Sequence, residues 1–130
     1  MTHEEILQAA ARNQFVLFCG IELKQDTDGS YYTTVNLEEH HHNTYGITHG
    51  GLLYTMADTT AGNNARRFAD RPVTLDSSFH FIKNTSTGIL TAKAEMVQTG
   101  RQVMVIRVRI TSDTGVKLTE GDFTYFNAAR

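Results

Sequence analysis

The sequence predicts an α+β fold: an antiparallel six-stranded sheet wrapped around one long central helix, with a short N-terminal helix. Three observations carry this. Several segments alternate apolar and polar residues with a period of two, one segment spreads apolar side chains around most of a helical circumference, and short turn sequences join the later strands.

Glu4 to Arg12, EEILQAAAR, suits a short amphipathic helix with Thr2 as its N-cap and Ile6, Ala9 and Ala10 facing inward. Phe15, Leu17, Cys19, Ile21 and Leu23 then alternate with more polar neighbours. Beyond the turn DTDGS, Tyr31, Thr33, Val35 and Leu37 do the same, which predicts a hairpin. From His49 to about Phe68, the residues Leu52, Leu53, Tyr54, Met56, Ala57, Ala61, Ala65 and Phe68 describe a helix buried on most sides. Four alternating segments follow, Val73 to Phe81, Leu90 to Met96, Met104 to Ile110 and Val116 to Phe126. The turns STG, QTGRQ and SDTG between them have hairpin spacing and predict an antiparallel meander. In the last segment Val116 and Leu118 stand on the opposite parity to Phe123 and Tyr125, so a bulge is expected near Gly121.

Bulk properties narrow the function classes. A chain of 130 residues, 40% hydrophobic and 20% charged, can bury one core and is too short for two ordinary domains, so residues 1–130 read as a single domain. A net charge of -2 leaves no electrostatic footprint for nucleic acid or an anionic membrane. No stretch approaches the roughly 20 apolar residues of a membrane span. Cys19 has no second cysteine to pair with, and the start MTHEEILQAAARNQF has acidic residues where a secretory leader needs positive charge and an apolar run. A reducing, cytoplasmic setting is expected.

The stretch ITHGGLLYTMADTTAG, from Ile47 to Gly62, concentrates the chemistry. At a helix start several backbone N–H groups lack intrahelical partners and the macrodipole leaves partial positive charge, so this end can polarise a carbonyl oxygen. Gly50 and Gly51 would let a ligand approach that backbone closely; they read equally as a tight turn, and His49 as a capping residue. Asp58 is a poor helix former in an apolar helix. At about 100° per residue it shares a stripe with Gly51, Tyr54, Thr55, Ala61 and Gly62 that carries no further charge until Arg66. A carboxylate in such a groove is a candidate base or nucleophile, because desolvation and neighbours tune its reactivity. It reads otherwise as a solvated charge or a partner of Arg66 or Arg67. At about 1.5 Å per residue, Asp58 lies roughly 12 Å along the helix from Gly50, too far for both to act on one carbonyl group. The two would meet only if contributed by different chains of a symmetric dimer with antiparallel helices.

The element order and the run HGGLLYTMAD resemble the hotdog-fold acyl-CoA thioesterases of the phenylacetate-pathway (PaaI-like) type. The most specific part is Asn43, then His49-Gly50-Gly51, then Asp58. The resemblance implies hydrolysis of acyl-CoA to acid and CoA in a dimer-built homo-oligomer, a tetramer by expectation. Asp58 is then the catalytic carboxylate and Gly50 the residue whose N–H binds the thioester oxygen. Asn43 and Thr74 position the thioester or the attacking water. Substrate-binding positions are His49, Gly51, Tyr54, Thr59, Phe79, Phe81 and Lys83, with Leu53 and Met104 as further candidates for the acyl pocket. Scattered basic residues, Arg66, Arg67, Arg71, Lys83 and Arg101, are candidates for the CoA nucleotide. No cofactor is expected.

Other readings have weaker support. A metal site from Glu39, His40, His41, His42 and His80 is conceivable, yet adjacent loop histidines are poorly spaced for joint coordination, and no metal is expected. A dehydratase would need a His five residues after an Asp, whereas Asp76 and His80 are four apart. A non-catalytic acyl- or lipid-binding module fits the strands and leaves Asp58 unexplained.

Overall fold

The computed structural model describes residues 1–129. Helix α1 (His3–Ala11) begins with a capping box: Glu5 N–H donates to Thr2 Oγ1 at 3.1 Å and Thr2 N–H donates to Glu5 Oε1 at 2.9 Å. Ile6 is buried beneath it and Ala9 and Ala10 are half-buried.

The next segment departs from expectation. Residues Gln14–Phe18 form a second short helix, α2, and the strand that follows, β1, is only Glu22–Gln25. Asn13 starts the helix by accepting from Val16 N–H, and Gly20, at φ +73°, turns the chain out of it. The alternation of Phe15, Leu17 and Cys19 is therefore not a strand pattern. Val16 is the buried residue, while Phe15, Leu17 and Phe18 stand exposed.

Strand β1 pairs antiparallel with β2 (Tyr31–Asn36), completing the expected hairpin. A 3-10 turn at Glu39–His41 leads to the long helix α3 (Gly50–Ala65), and β3 (Pro72–Phe81), β4 (Ile89–Thr99), β5 (Val103–Thr111) and β6 (Lys117–Asn127) follow. The sheet order is β1-β2-β4-β5-β6-β3, with antiparallel pairs throughout. Strands β4, β5 and β6 form the predicted meander, but β3 does not belong to it. It pairs with β6 at the far edge, and β4 pairs with β2. Residues 82–88 cross the fold between them: Ile82 and Lys83 N–H donate to Leu118 C=O, Thr48 N–H donates to Thr85 C=O, and Leu37 N–H donates to Gly88 C=O.

The parity change in β6 lies at Leu118, not at Gly121. Ile110 faces Thr119 and Thr111 faces Lys117, leaving Leu118 as the extra residue, and both Leu118 and Thr119 are buried. A further irregularity lies in β3, where Leu75 is unopposed between Thr74 and Asp76.

Helix α3 buries Leu52, Leu53, Met56, Ala57, Ala61 and Ala65 against the concave face of the sheet, where Leu90, Met104, Ile106, Val108, Ile110 and Phe123 meet them. Each large side chain so buried contributes on the order of 1.5–3 kcal/mol. Leu53 and Met104 belong to this core at 1% exposure each, so they are not walls of an open acyl pocket. Ala61, expected on the Asp58 stripe, is fully buried as well. The strip the sheet leaves open carries Gly51, Tyr54, Thr55, Asp58, Thr59 and Gly62. Among the described residues no helix is long and apolar enough to cross a membrane.

Candidate active site

The start of α3 is held from two sides. His49 N–H donates to His41 C=O at 2.8 Å, and buried Thr48 is tied to the 82–88 crossing by its Oγ1 to Thr85 C=O at 2.6 Å and by its N–H and C=O to the Asn84 amide. His49 is the N-cap: its Nδ1 accepts from Gly51 N–H at 2.8 Å, which places the ring proton on Nε2. Among the described residues Gly50 N–H has no acceptor, so the donor at this positive helix end is free for an external oxygen.

Two turns further on, Asp58 is bound by hydroxyls rather than by Arg66 or Arg67. Thr74 Oγ1 donates to Asp58 Oδ1 at 2.8 Å, and Tyr125 Oη lies 2.6 Å from the same oxygen and 2.7 Å from the Asp58 carbonyl oxygen. Arg66 and Arg67 turn instead to Asn63 and Asn64. Gly62, one turn beyond Asp58, makes the tyrosine contact possible, because a Cβ at Gly62 would lie 3.0 Å from Tyr125 Oη. Burial, reinforced by the Asp58 charge and hydrogen bond, pushes the Tyr125 hydroxyl far above the usual tyrosine range, so Tyr125 stays a proton donor to Asp58. Asp58, Thr74 and Tyr125 line a polar cleft of about 260 Å³ with Asn13, Thr59 and Arg66.

Tyr125 was absent from the residues singled out in the sequence. Its only signal there was a place on the inward parity of the last strand, which marks core and site residues alike.

Other expected positions gather nearer Gly50. Phe81 packs on it: a Cβ at Gly50 would lie 3.3 Å from the Phe81 ring. The rings of Phe79 and Phe81 meet edge-on at 5.0 Å between centroids, and Tyr54 and Phe79 at 5.5 Å. Tyr54 Oη also reaches Ser77 Oγ at 2.6 Å. Lys83 is exposed two residues beyond β3. Asn43 closes its own loop, with Oδ1 accepting from Tyr45 N–H at 2.8 Å and from Ile47 N–H at 3.3 Å. One chain thus brings together Asp58, Thr74 and Thr59 at one place, and Gly50, Tyr54, Phe79 and Phe81 at another. About 12 Å of helix separates them.

The histidine-rich loop is occupied by structural contacts. His41 Nε2 lies 2.7 Å from Cys19 C=O, His42 Nε2 lies 2.7 Å from Ser86 C=O, and His40 faces Glu38. His80 stands on β3 opposite Glu120. Among the described residues no three His, Cys, Asp or Glu side chains are grouped as metal ligands.

The six-stranded antiparallel sheet wrapped around one long central helix defines a hotdog-fold protein. Comparison with known proteins agrees. The model of the thioesterase superfamily matches residues 45–119, and the chain belongs to that family. A hypothetical thioesterase from Streptococcus pneumoniae, crystallised with coenzyme A, is 32% identical with a TM-score of 0.77, over 85% of this chain and 87% of that one. The same thioesterase has also been crystallised with an aspartate and with a threonine replaced by alanine, at positions sixteen residues apart. The 1,4-dihydroxy-2-naphthoyl-CoA hydrolase of Listeria monocytogenes is 24% identical over 98 residues, 73% of this chain and 80% of that one. The E. coli PaaI protein shares the fold at a TM-score of 0.88 and 19% identity, over 96% of this chain and 92% of that one.

Proposed function

We propose that the protein hydrolyses an acyl-CoA thioester to free acid and CoA, with Asp58 as base or nucleophile and Gly50 N–H as oxyanion donor. The observation that carries this is the Asp58 carboxylate, aligned by Thr74 and Tyr125 on the open strip of α3, in a chain of the thioesterase superfamily. Asp58 and Thr74 are separated by sixteen positions, as are the two residues replaced in the pneumococcal thioesterase, and that relative's coenzyme A supports the leaving group.

As base, Asp58 takes a proton from water, the hydroxide adds to the thioester carbonyl, the C–S bond breaks and the thiolate recovers the proton. As nucleophile, its carboxylate adds to the thioester carbonyl and the C–S bond breaks to release the CoA thiolate; water then opens the resulting anhydride to free acid and Asp58 carboxylate, and its proton goes to the thiolate. In both routes the carbonyl oxygen gains negative charge, and the free Gly50 N–H at the helix start is aimed to receive it. With about 12 Å of α3 between them, the donor and the carboxylate act on one carbonyl group if they come from different chains. The open strip of α3 and the edge strand β3, with Val73, Leu75 and Phe81 exposed, supply a surface for a second copy, and a homo-oligomer built from such dimers is the functional form. Asn43, His49, Gly51, Tyr54, Thr59, Phe79, Phe81 and Lys83 then border the substrate, and the single domain works in a reducing, cytoplasmic setting.

Free-thiol release from a panel of acyl-CoA substrates tests the reading. Release by the wild type and its loss in Asp58→Asn are expected; no release with any thioester would refute it.

A further inference from the structure

We infer that His41 is a positioning residue for the reaction: it locks the hairpin that carries Asn43 and leads into Gly50, and so fixes the donors that face the thioester. The inference rests on the reading of Gly50 N–H as the oxyanion donor. Residues 41–43 and 47–49 run antiparallel. Asn43 N–H donates to Ile47 C=O at 2.7 Å, His42 bridges to Thr48, and His49 N–H donates to His41 C=O at 2.8 Å. Asn43 stands at the turn of this hairpin, and Gly50 follows its last residue. Asn43 Oδ1 is occupied by Tyr45 and Ile47 N–H, which leaves its Nδ2, like Gly50 N–H, without an acceptor among the described residues.

The foot of the hairpin requires a histidine. Glu38 N–H can only donate, so His41 Nδ1, 3.0 Å away, carries the lone pair; Cys19 C=O can only accept, so Nε2, 2.7 Å away, carries the proton. The ring thus joins the start of the loop to the C-cap carbonyl of α2, one of the groups a helix end leaves unpaired. At 5% exposure, His41 has little water to replace either bond. His42 anchors the other side of the hairpin by Nε2 to Ser86 C=O, yet its ring makes that one bond and is only half-buried. Without the His41 bridge the foot is released, and His49, whose ring caps α3 through Gly51 N–H, loses the fixed acceptor of its own N–H. An oxyanion donor must lie about 2.7 to 3.1 Å from its oxygen, and a displacement of about 1 Å can cost about a hundredfold in rate.

The test compares three variants. His41→Leu removes both ring bonds, His41→Asn keeps the acceptor for Glu38 N–H and loses the donor to Cys19, and the His41→Gln amide reaches Cys19 C=O. Proton–nitrogen NMR spectra of the free proteins read the donors without substrate. In His41→Leu and His41→Asn the Gly50 and Gly51 N–H resonances should move and Gly51 N–H should exchange with solvent about tenfold faster, while α3 resonances from Met56 onward stay in place. His41→Gln should match the wild type. With the acyl-CoA that the wild type cleaves fastest, His41→Leu and His41→Asn should lose about tenfold to a hundredfold in kcat with KM within about twofold, and His41→Gln should come within about threefold of the wild type. His41→Asn carries the test alone if His41→Leu does not fold. Unmoved Gly50 and Gly51 resonances, wild-type kcat in a folded His41→Leu or His41→Asn protein, or His41→Gln no better than His41→Asn would overturn the role of His41 and leave the thioesterase reading intact. If no thioester is cleaved, that reading fails by itself, and the spectra still judge whether His41 positions Gly50 N–H: resonances that move support it, and unmoved ones overturn it.

Discussion

The Tyr125 hydroxyl shares its one proton between Asp58 Oδ1, at 2.6 Å, and the Asp58 carbonyl oxygen, at 2.7 Å, so one residue of the last strand fixes both the backbone and the carboxylate of one residue of the central helix. The contact also ties stability to pH. Burial first, and the Asp58 charge second, hold the Tyr125 proton well above its ordinary value of 10.0. A group whose folded value is raised contributes stability that is fully present below the unfolded value and is lost as pH rises above it. The wild-type melting temperature should therefore fall from about pH 10 upward, and Tyr125→Phe should flatten that fall. Buried Tyr31, also shifted up by desolvation, leaves a residual slope in both proteins. Parallel melting curves across this range would show that the Tyr125 proton is not held by the fold.

Replacing Asp58 by Asn removes the negative charge and keeps the shape, and the hydroxyls of Thr74 and Tyr125 still find an oxygen to donate to. The variant should fold with a melting temperature close to the wild type and lose about two to four powers of ten in kcat, the scale of a positioned base. Circular dichroism beside steady-state kinetics checks both halves. A folded Asp58→Asn protein with near wild-type turnover removes the carboxylate from the mechanism.

A site shared by two chains has a distinctive signature in mixtures. Asp58→Asn and Asn43→Ala proteins, each inactive alone, should regain activity when their subunits exchange, because one of the two sites in a mixed dimer then receives both native halves. Native mass spectrometry establishes the exchange, and activity that stays at the level of the parents despite it would place the whole site within one chain.

Gly50 lies outside the left-handed region, so alanine can adopt its backbone. The added methyl would lie 3.3 Å from the Phe81 ring and beside the free N–H. Gly50→Ala should lower kcat by about a hundredfold, the usual cost of a lost oxyanion donor, while the melting temperature changes little. Unchanged turnover with an unchanged melting temperature would show that no substrate oxygen approaches this backbone.

The parts legible in the sequence are those set by local pattern. The helical period and the glycine pair located α3 to within a residue at its start, and the charge-poor stripe around Asp58 is the strip the sheet leaves uncovered, Ala61 excepted. Two misreadings share one cause, competition between a weak local signal and a contact distant in sequence. Five residues around Val16 alternate like a strand, but the Asn13 cap and the turn at Gly20 make them a helix. The short STG turn suggested a hairpin, yet β3 finds its partner in β6, and residues 82–88 are held by Leu118, Thr48 and Leu37. Tyr125 was missed for the same reason, since its distance from Asp58 depends on that pairing and on the missing side chain at Gly62.

The β3–β6 pairing also orders events during synthesis. Helix α3 with Asp58 and strand β3 with Thr74 leave the ribosome before β6, which is the only strand bonded to β3 among the described residues. Until β6 arrives, β3 has two unpaired edges and Asp58 lacks its tyrosine donor. A nascent chain at that stage, or one clipped ahead of Lys117, carries the acid without its alignment and presents an apolar strand that invites pairing with other unfinished chains. The alignment of Asp58 is thus completed only with the closing strand, and an incomplete translation product is foremost a hazard for aggregation.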